Sequence, residues 1–206
     1  GGWAWGQSQS DDYVGYVLAE DLGEVQAPTH YARGLRSFIY TAADIKSRPL
    51  MAVSRGARLT CVARSGDFFE LQDGAFIFAD HIAPLQDWCA DYIDVARDFI
   101  GAPYLWGGRE SLGLDCSALV QISLMQCGLV CPRDSDMQEH VLGRQVEQAQ
   151  RGDLVFWKGH VGLMSGDTTL LHANATSMDV REEDFDTVRA RIEKTDGPVR
   201  AIKRLG

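Results

Sequence analysis

At residue 86 the hydrophobic period of this chain changes, and that change divides what it can fold into. Before it, short runs rich in β-branched and aromatic residues cover 37–40, 50–53, 57–64, 68–72 and 75–79. Ser54-Arg55-Gly56, Ser65-Gly66-Asp67 and Gln72-Asp73-Gly74 punctuate them as turns. A spacing of about ten residues per strand and turn suits a small β-barrel. After residue 86, Trp88, Tyr92, Val95, Ala96 and Phe99 recur at three and four, with Cys89, Ile93 and Ile100 beside them. That is the period of an amphipathic helix, and Gly101 ends it.

Further along the second half, residues 137–142 suit a short helix and 153–157 a buried strand. Residues 161–165 and 170–173 form a hairpin across Gly166-Asp167, and 198–204 a closing strand. The charge-rich stretch 181–196 reads as a solvated surface loop or helix. A helix pair followed by antiparallel strands is an α+β order. At the other end, 3–7 and 13–18 are strand-like with a polar turn between them. A lone hairpin is marginally stable at best. It therefore belongs to a barrel whose other strands lie before Gly1, or pairs with strands later in the chain. Residues 19–34, polar and containing Pro28, read as a linker. The expected division is 1–24 as the end of a truncated first β-module, 25–85 as a second, and 86–206 as an α+β domain. The chain opens on a strand already under way, so the natural N-terminus is expected upstream and the missing leader leaves the compartment open.

Chemistry concentrates at Gly113-Leu114-Asp115-Cys116-Ser117-Ala118-Leu119-Val120, where a loop becomes a helix. Ala118, Ile122 and Met125 share a face, Asp115 is a good N-cap and Gly128 a C′ residue. The Cys116 sulfur then sits at the positive end of the helix dipole, where a thiolate is favoured. Upstream, Gly101-Ala102-Pro103-Tyr104-Leu105-Trp106-Gly107-Gly108 is a stiff aromatic loop that walls a cleft. A cysteine nucleophile needs a base. His160 opens one predicted strand and His172 lies in its partner, so one ring faces the thiol and the other orients the first. The Cys116 backbone N–H is a natural oxyanion donor. The Tyr104 hydroxyl is either a second donor or simple packing. His30, His81 and His140 lack such a setting and read as structural. A metal triad of His160, His172 and Asp115 suits this order less well than acyl chemistry, so no metal and no cofactor is expected.

Composition removes other classes. Net charge is −9 with no Lys/Arg block, which argues against nucleic acid. No run of about 18 apolar residues is present to insert in a membrane. The 5 cysteines are irregularly spaced and odd in number. That excludes a disulfide framework, and Cys127 with Cys131 lacks the second ligand pair of a zinc site.

Five blocks, taken in order, resemble the NlpC-type cysteine peptidases, papain-like bacterial enzymes that cut peptidoglycan stem peptides. They are Tyr104–Gly108 as Tyr-Leu-Trp-Gly-Gly, Leu114-Asp115-Cys116-Ser117-Ala118-Leu119-Val120, Gly152-Asp153-Leu154-Val155-Phe156-Trp157, Gly159-His160-Val161-Gly162 and Leu171-His172-Ala173. The resemblance implies a papain-like domain over 86–206, helices packed on an antiparallel sheet, preceded by small SH3-like barrel modules. It maps the triad onto Cys116, His160 and His172, and an oxyanion-side tyrosine onto Tyr104. The two-module arrangement resembles the subgroup that includes dipeptidyl-peptidase VI, which cleaves between γ-D-glutamate and a diamino acid in peptides with a free N-terminal L-alanine. Pro132-Arg133-Asp134-Ser135 is similar to that subgroup's substrate loop. By resemblance Asp134 takes the L-alanine ammonium, Ser135 the peptide backbone or D-glutamate carboxylate, and Tyr13 lines the site, with Trp106 and Asp115 also on the substrate side. The implied substrate is L-Ala-γ-D-Glu-diaminopimelate, handled by a monomer in peptide recycling, in the cytoplasm or the cell envelope. An amidase or acyltransferase on another amide, and a wall-binding protein without catalysis, remain as alternatives.

Overall fold

The computed structural model describes residues 2–206, which divide into two compact units. One comprises the chain up to Gly6 together with Val14–Trp88; the other comprises Gln7–Tyr13 and Cys89–Gly206. A hairpin of β1 (Trp3–Gln7) and β2 (Val14–Leu18) opens the chain, and its turn lies in the 7–13 segment.

The first unit is all-β. It contains β3 (His30–Ala32), β4 (Arg36–Tyr40), β5 (Pro49–Ser54), β6 (Arg58–Leu59), β7 (Cys61–Ser65), β8 (Phe68–Leu71), β9 (Phe76–Phe78) and β10 (Ile82–Pro84). Two sheets form, in the orders β5-β4-β9-β8-β7 and β10-β3-β6. Leu59 and Ile82 of the smaller sheet pack with Ile39, Leu71 and Ile77 of the larger one, so the core lies between the sheets. The expected barrel does not close: β5 and β7 end the larger ladder as separate edges. The run 57–64 is not one strand either. It breaks at Thr60 and changes sheets, β6 pairing with β3 and β7 with β8. The supposed linker 19–34 supplies β3, the central strand of the smaller sheet. Its side chains Tyr31 and Ala32 are buried, which polar neighbours in the sequence concealed.

The second unit is α+β. Its helices are α1 (Tyr92–Arg97), α2 (Cys116–Gln126), α3 (Ser135–Val141) and α4 (Phe185–Glu193). Its strands are β11 (Arg109–Glu110), β12 (Gly113–Leu114), β13 (Arg144–Gln145), β14 (Leu154–Trp157), β15 (His160–Met164), β16 (Thr169–Asn174), β17 (Asp179–Asp184) and β18 (Ala201–Arg204). Six of these form one antiparallel sheet in the order β13-β18-β14-β15-β16-β17. The helix expected to begin near Trp88 is shorter. The Asp91 carboxylate accepts from the Ile93 N–H and starts it. Trp88 stacks on Tyr31 instead, with ring centroids 6.3 Å apart.

Helix α2 is buried nearly all round, so it is a core helix rather than an amphipathic one. It packs on α1, β15 and β16. Its end is a Schellman motif: the Leu129 N–H donates to the Leu124 carbonyl at 3.0 Å and the Gly128 N–H to Met125 at 3.1 Å. Gly128 takes φ +77°, which a side chain would strain.

Strand alternation decides which side chains meet. Met164 pairs with Leu170, and Leu170 with Glu183, so these three share a sheet face. With a period of two, His160 and His172 lie on that face too. Helix α4 covers the same face, its Val188 and Ile192 packing with Trp157, Met164 and Leu170. Leu170 is fully buried in this cluster. Leu170→Ala is expected to cost about 2–5 kcal/mol, read as a lower urea midpoint at an unchanged slope.

Candidate active site

The site is assembled from the start of α2 outward. Asp115 caps the helix, its Oδ1 accepting from the Ala118 N–H at 2.9 Å. The same carboxylate accepts from both terminal nitrogens of Arg133, at 2.9 and 2.7 Å. It also accepts the Gly107 N–H at 2.9 Å, while Arg133 donates on to the Gly108 carbonyl at 3.1 Å and the Ser117 hydroxyl at 2.9 Å. Arg133 and Asp115 are both buried. One ion pair thus ties the glycine loop, the helix start and the 132–135 loop together. Burial raises the Asp115 pKa, but Arg133 and the N–H groups of Ala118 and Gly107 outweigh it and hold the carboxyl below its usual range.

Asp115, expected on the substrate side, lines the cleft, but both of its oxygens are taken up by the protein's own donors. The glycines at 107 and 108 also serve the protein itself. A Cβ on Gly108 would run into the Gly113 carbonyl, so the loop packs there without room for a side chain.

Cys116 is the first residue of α2 and is buried. Burial pushes its thiol up to about 11, despite the opposing N–H groups of Val161, Ser117 and Cys116 itself; Asp115 adds to the rise. The thiolate expected from the helix dipole is therefore not the resting form, because desolvation is the larger effect. The Val161 contact sets the sulfur against the residue that follows His160.

His160 and His172 meet: Nε2 of His160 lies 2.9 Å from Nδ1 of His172. Burial drives His160 down to about 3, with His172 and Arg191 adding to the fall. Burial also lowers His172, against the pull of Glu183. Nε2 of His172 lies 2.9 Å from Oε2 of Glu183, whose two oxygens accept from Arg191 at 2.8 and 2.9 Å. Glu183 and Arg191 fall in the stretch read as a solvated surface. No signal in the sequence marks the first as part of a sheet: Val180 is the one apolar residue of 179–184.

Cys116 opens on a cleft of about 730 Å³. Tyr13, Tyr104, Trp106, Asp134 and Ser135 line it, as do Lys158 and Arg200, which the sequence reading did not single out. Trp106 is 86 % exposed and Tyr13 44 %. The Tyr104 hydroxyl is raised by burial and then by Cys116 and Asp115, so it is a proton donor at neutral pH. Asp134 stands at the N-cap of α3 but makes no cap hydrogen bond with its side chain. The segment carrying Tyr13 is anchored by Asp11, which accepts from Gln121 at 2.9 Å and pairs with Arg109 at 3.2 Å. His140 is not among the residues lining this cleft; it lines an adjoining one that shares Asp136 and Arg200.

Residues 101–194 match the NlpC/P60 family. A dipeptidyl-peptidase 6 from Lysinibacillus sphaericus is 31% identical over 110 residues, covering 52% of this chain and 41% of that one. A γ-D-glutamyl-L-lysine dipeptidyl-peptidase from Bacillus cereus is 32% identical over 110 residues, covering 49% of this chain and 33% of that one. The matches to these two thus span less than half of either relative. Among solved structures, an NlpC/P60 family protein from Bacillus cereus superposes with a TM-score of 0.79 at 23% identity, covering 98% of this chain and 75% of that chain. At that identity the likeness is one of fold.

Two outcomes follow from the buried groups. Arg133→Met leaves the Asp115 carboxylate buried without its cation, and is expected to cost about 3–5 kcal/mol in urea unfolding. The histidines give an acid-side slope. In the unfolded chain His160 takes up a proton near its ordinary value of 6.5, whereas the folded chain holds it neutral down to about 3. The unfolded state binds more protons across that window, so stability falls as pH drops through it. Melting temperature is expected to decline from pH 6.5 toward 3, and less steeply in His160→Gln.

Proposed function

From the premise that this chain carries an NlpC/P60 domain, a fold of peptidoglycan hydrolases, we propose that it is a cysteine endopeptidase. Its substrate is the γ-D-glutamyl–diamino acid bond of stem peptides with a free N-terminal L-alanine. The observation that carries this is that Cys116 lines a cleft together with Asp134, a carboxylate that makes no cap hydrogen bond.

The chemistry follows from the charges at rest. Cys116 is a thiol and His160 a neutral imidazole. His160 takes the thiol proton as the sulfur attacks the γ-carbonyl carbon, so proton transfer accompanies bond formation. The oxyanion that forms is met by the Cys116 backbone N–H and the Tyr104 hydroxyl. His160 then gives its proton to the amine of the diamino acid, the C–N bond breaks, and a γ-glutamyl thioester remains. Water, deprotonated by His160, attacks that thioester. The glutamate carboxylate leaves and the thiol is restored. His172 steadies the His160 ring throughout.

Specificity comes from the wall. An ammonium at Asp134 finds a carboxylate that the α3 cap has not consumed, in a cleft that Ser135 and Tyr13 also line. Trp106 offers an exposed aromatic face to the peptide. Lys158 and Arg200, the latter paired with Glu139 at 3.2 Å, add basic groups to the lining, which suits the carboxylates of such a peptide. The names of the relatives, a dipeptidyl-peptidase 6 and a γ-D-glutamyl-L-lysine dipeptidyl-peptidase, support this reading.

Cys116→Ser is expected to abolish hydrolysis of L-Ala-γ-D-Glu-diaminopimelate; full retained turnover would refute the assignment. Asp134→Asn is expected to raise KM for the free-amine peptide about 10- to 100-fold, the worth of a hydrogen bond to a charged group. N-acetylated peptide should be poor with both forms. Equal turnover of acetylated and free peptides by the unmodified protein would point to an amidase of broader specificity.

A further inference from the structure

We propose that Glu183, held by Arg191, is a positioning residue that fixes the tautomers of both histidines, leaving Nδ1 of His160 as the proton-accepting nitrogen. This rests on His160 serving Cys116 as base.

One line of hydrogen bonds on a single sheet face carries the assignment. Both oxygens of Glu183 receive N–H bonds from Arg191, at 2.8 and 2.9 Å, and Oε2 also lies 2.9 Å from Nε2 of His172. Arg191 holds the Glu183 carboxyl down to about 2, with His172 helping, so it is ionised at neutral pH. A carboxylate only accepts hydrogen bonds. Nε2 of His172 must then carry a proton. Burial keeps His172 neutral, so this is its one proton and Nδ1 is a bare lone pair. That lone pair faces Nε2 of His160 at 2.9 Å. The contact is a hydrogen bond only if Nε2 of His160 carries the proton. His160 is also neutral, so its Nδ1 is bare.

One neighbour competes. The amide nitrogen of Asn174 lies 3.3 Å from Nε2 of His172. Asn174 cannot turn over, because its Oδ1 accepts the N–H groups of Thr176 and Ser177 at 3.0 and 2.9 Å. Donation from Asn174 would need a bare Nε2, which would set a lone pair against the Glu183 carboxylate at the shorter distance. The charged acceptor wins, and the Asn174 contact is only packing. The other charged groups around the pair do not alter the sign. Arg181 is taken up by Asp179 at 2.7 and 2.6 Å, and Asp115 by Arg133. When His160 takes the Cys116 proton, it keeps its Nε2 proton on His172. The new positive charge is then faced by a dipole that ends on a carboxylate, and His172 stays neutral.

Histidine ¹⁵N NMR of the full chain tests the tautomers without substrate. Both His160 and His172 are expected to show a protonated Nε2 and a bare Nδ1; a protonated Nδ1 on either ring in the unmodified protein overturns the proposal. Glu183→Ala is expected to lower kcat/KM by about 100-fold, within the range a positioned base contributes. A second background separates positioning from mere support. In His172→Asn the amide oxygen takes the place of Nδ1 and accepts from His160 whatever lies at 183. There Glu183→Ala should cost less than about threefold, the pair being coupled. An equal loss in both backgrounds overturns the proposal. A chain with the expected tautomers but no peptidase activity would instead overturn the functional reading and leave the hydrogen-bond assignment standing.

Discussion

The buried pair between Asp115 and Arg133 is the constraint on which the rest of the site depends. Its two side chains bind three segments that are far apart in sequence: the loop at Gly107-Gly108, the first turn of α2 and the loop before α3. Each segment brings one part of the cleft, namely Trp106, Cys116 and Asp134. A buried ion pair is costly to desolvate and weak evidence for stability on its own. Here every oxygen and two nitrogens are hydrogen-bonded, which offsets that cost and fixes geometry. Packing by apolar residues of similar volume would hold the segments together without setting the angle between them.

Much of this was legible in the sequence. Asp115 before Cys116 announced the cap, and Gly128 the left-handed end of the helix, because both signals are local. The hairpin carrying His160 and His172 was legible because alternation and a Gly166-Asp167 turn need no tertiary information. Other features were hidden for a common reason: their meaning lies in a partner distant in the chain. Asp115 read as a substrate ligand because nothing near it names Arg133. Residues 181–196 read as solvated because their charges pair with one another only once β17 lies beside β16 and α4 folds over both. Thr60 gives no sign that the chain changes sheets there, and the polar surroundings of Tyr31 masked a central strand. The barrel expected for 25–85 failed on closure, which is a property of edges that periodicity does not report.

The resting state of the cysteine shows two effects in opposition. The start of a helix offers N–H groups and a favourable dipole worth roughly 0.3–1 kcal/mol when exposed. Removing a thiolate from water costs more, and the Asp115 carboxylate in the next position adds repulsion. The cap that builds the helix thus works against the anion at its tip. The same environment lowers the histidines, so thiol and imidazole both stay neutral. A neutral pair has no charge to screen and little to lose from a dry cleft.

That neutrality makes orientation decisive. An ion pair would align itself by Coulomb attraction, whereas a neutral imidazole must be told which nitrogen to present. The His160 ring has two, and with Nε2 on His172 only Nδ1 is free for the proposed role of base. The information has to come from outside the ring, from a group whose own protonation is not in doubt. A glutamate neutralised by arginine at the sheet surface meets that requirement, and one intervening histidine transmits it. The sheet register that sets Leu170 opposite Glu183 therefore does more than close a core: it carries a fixed charge pattern to the His160 ring proposed as the base.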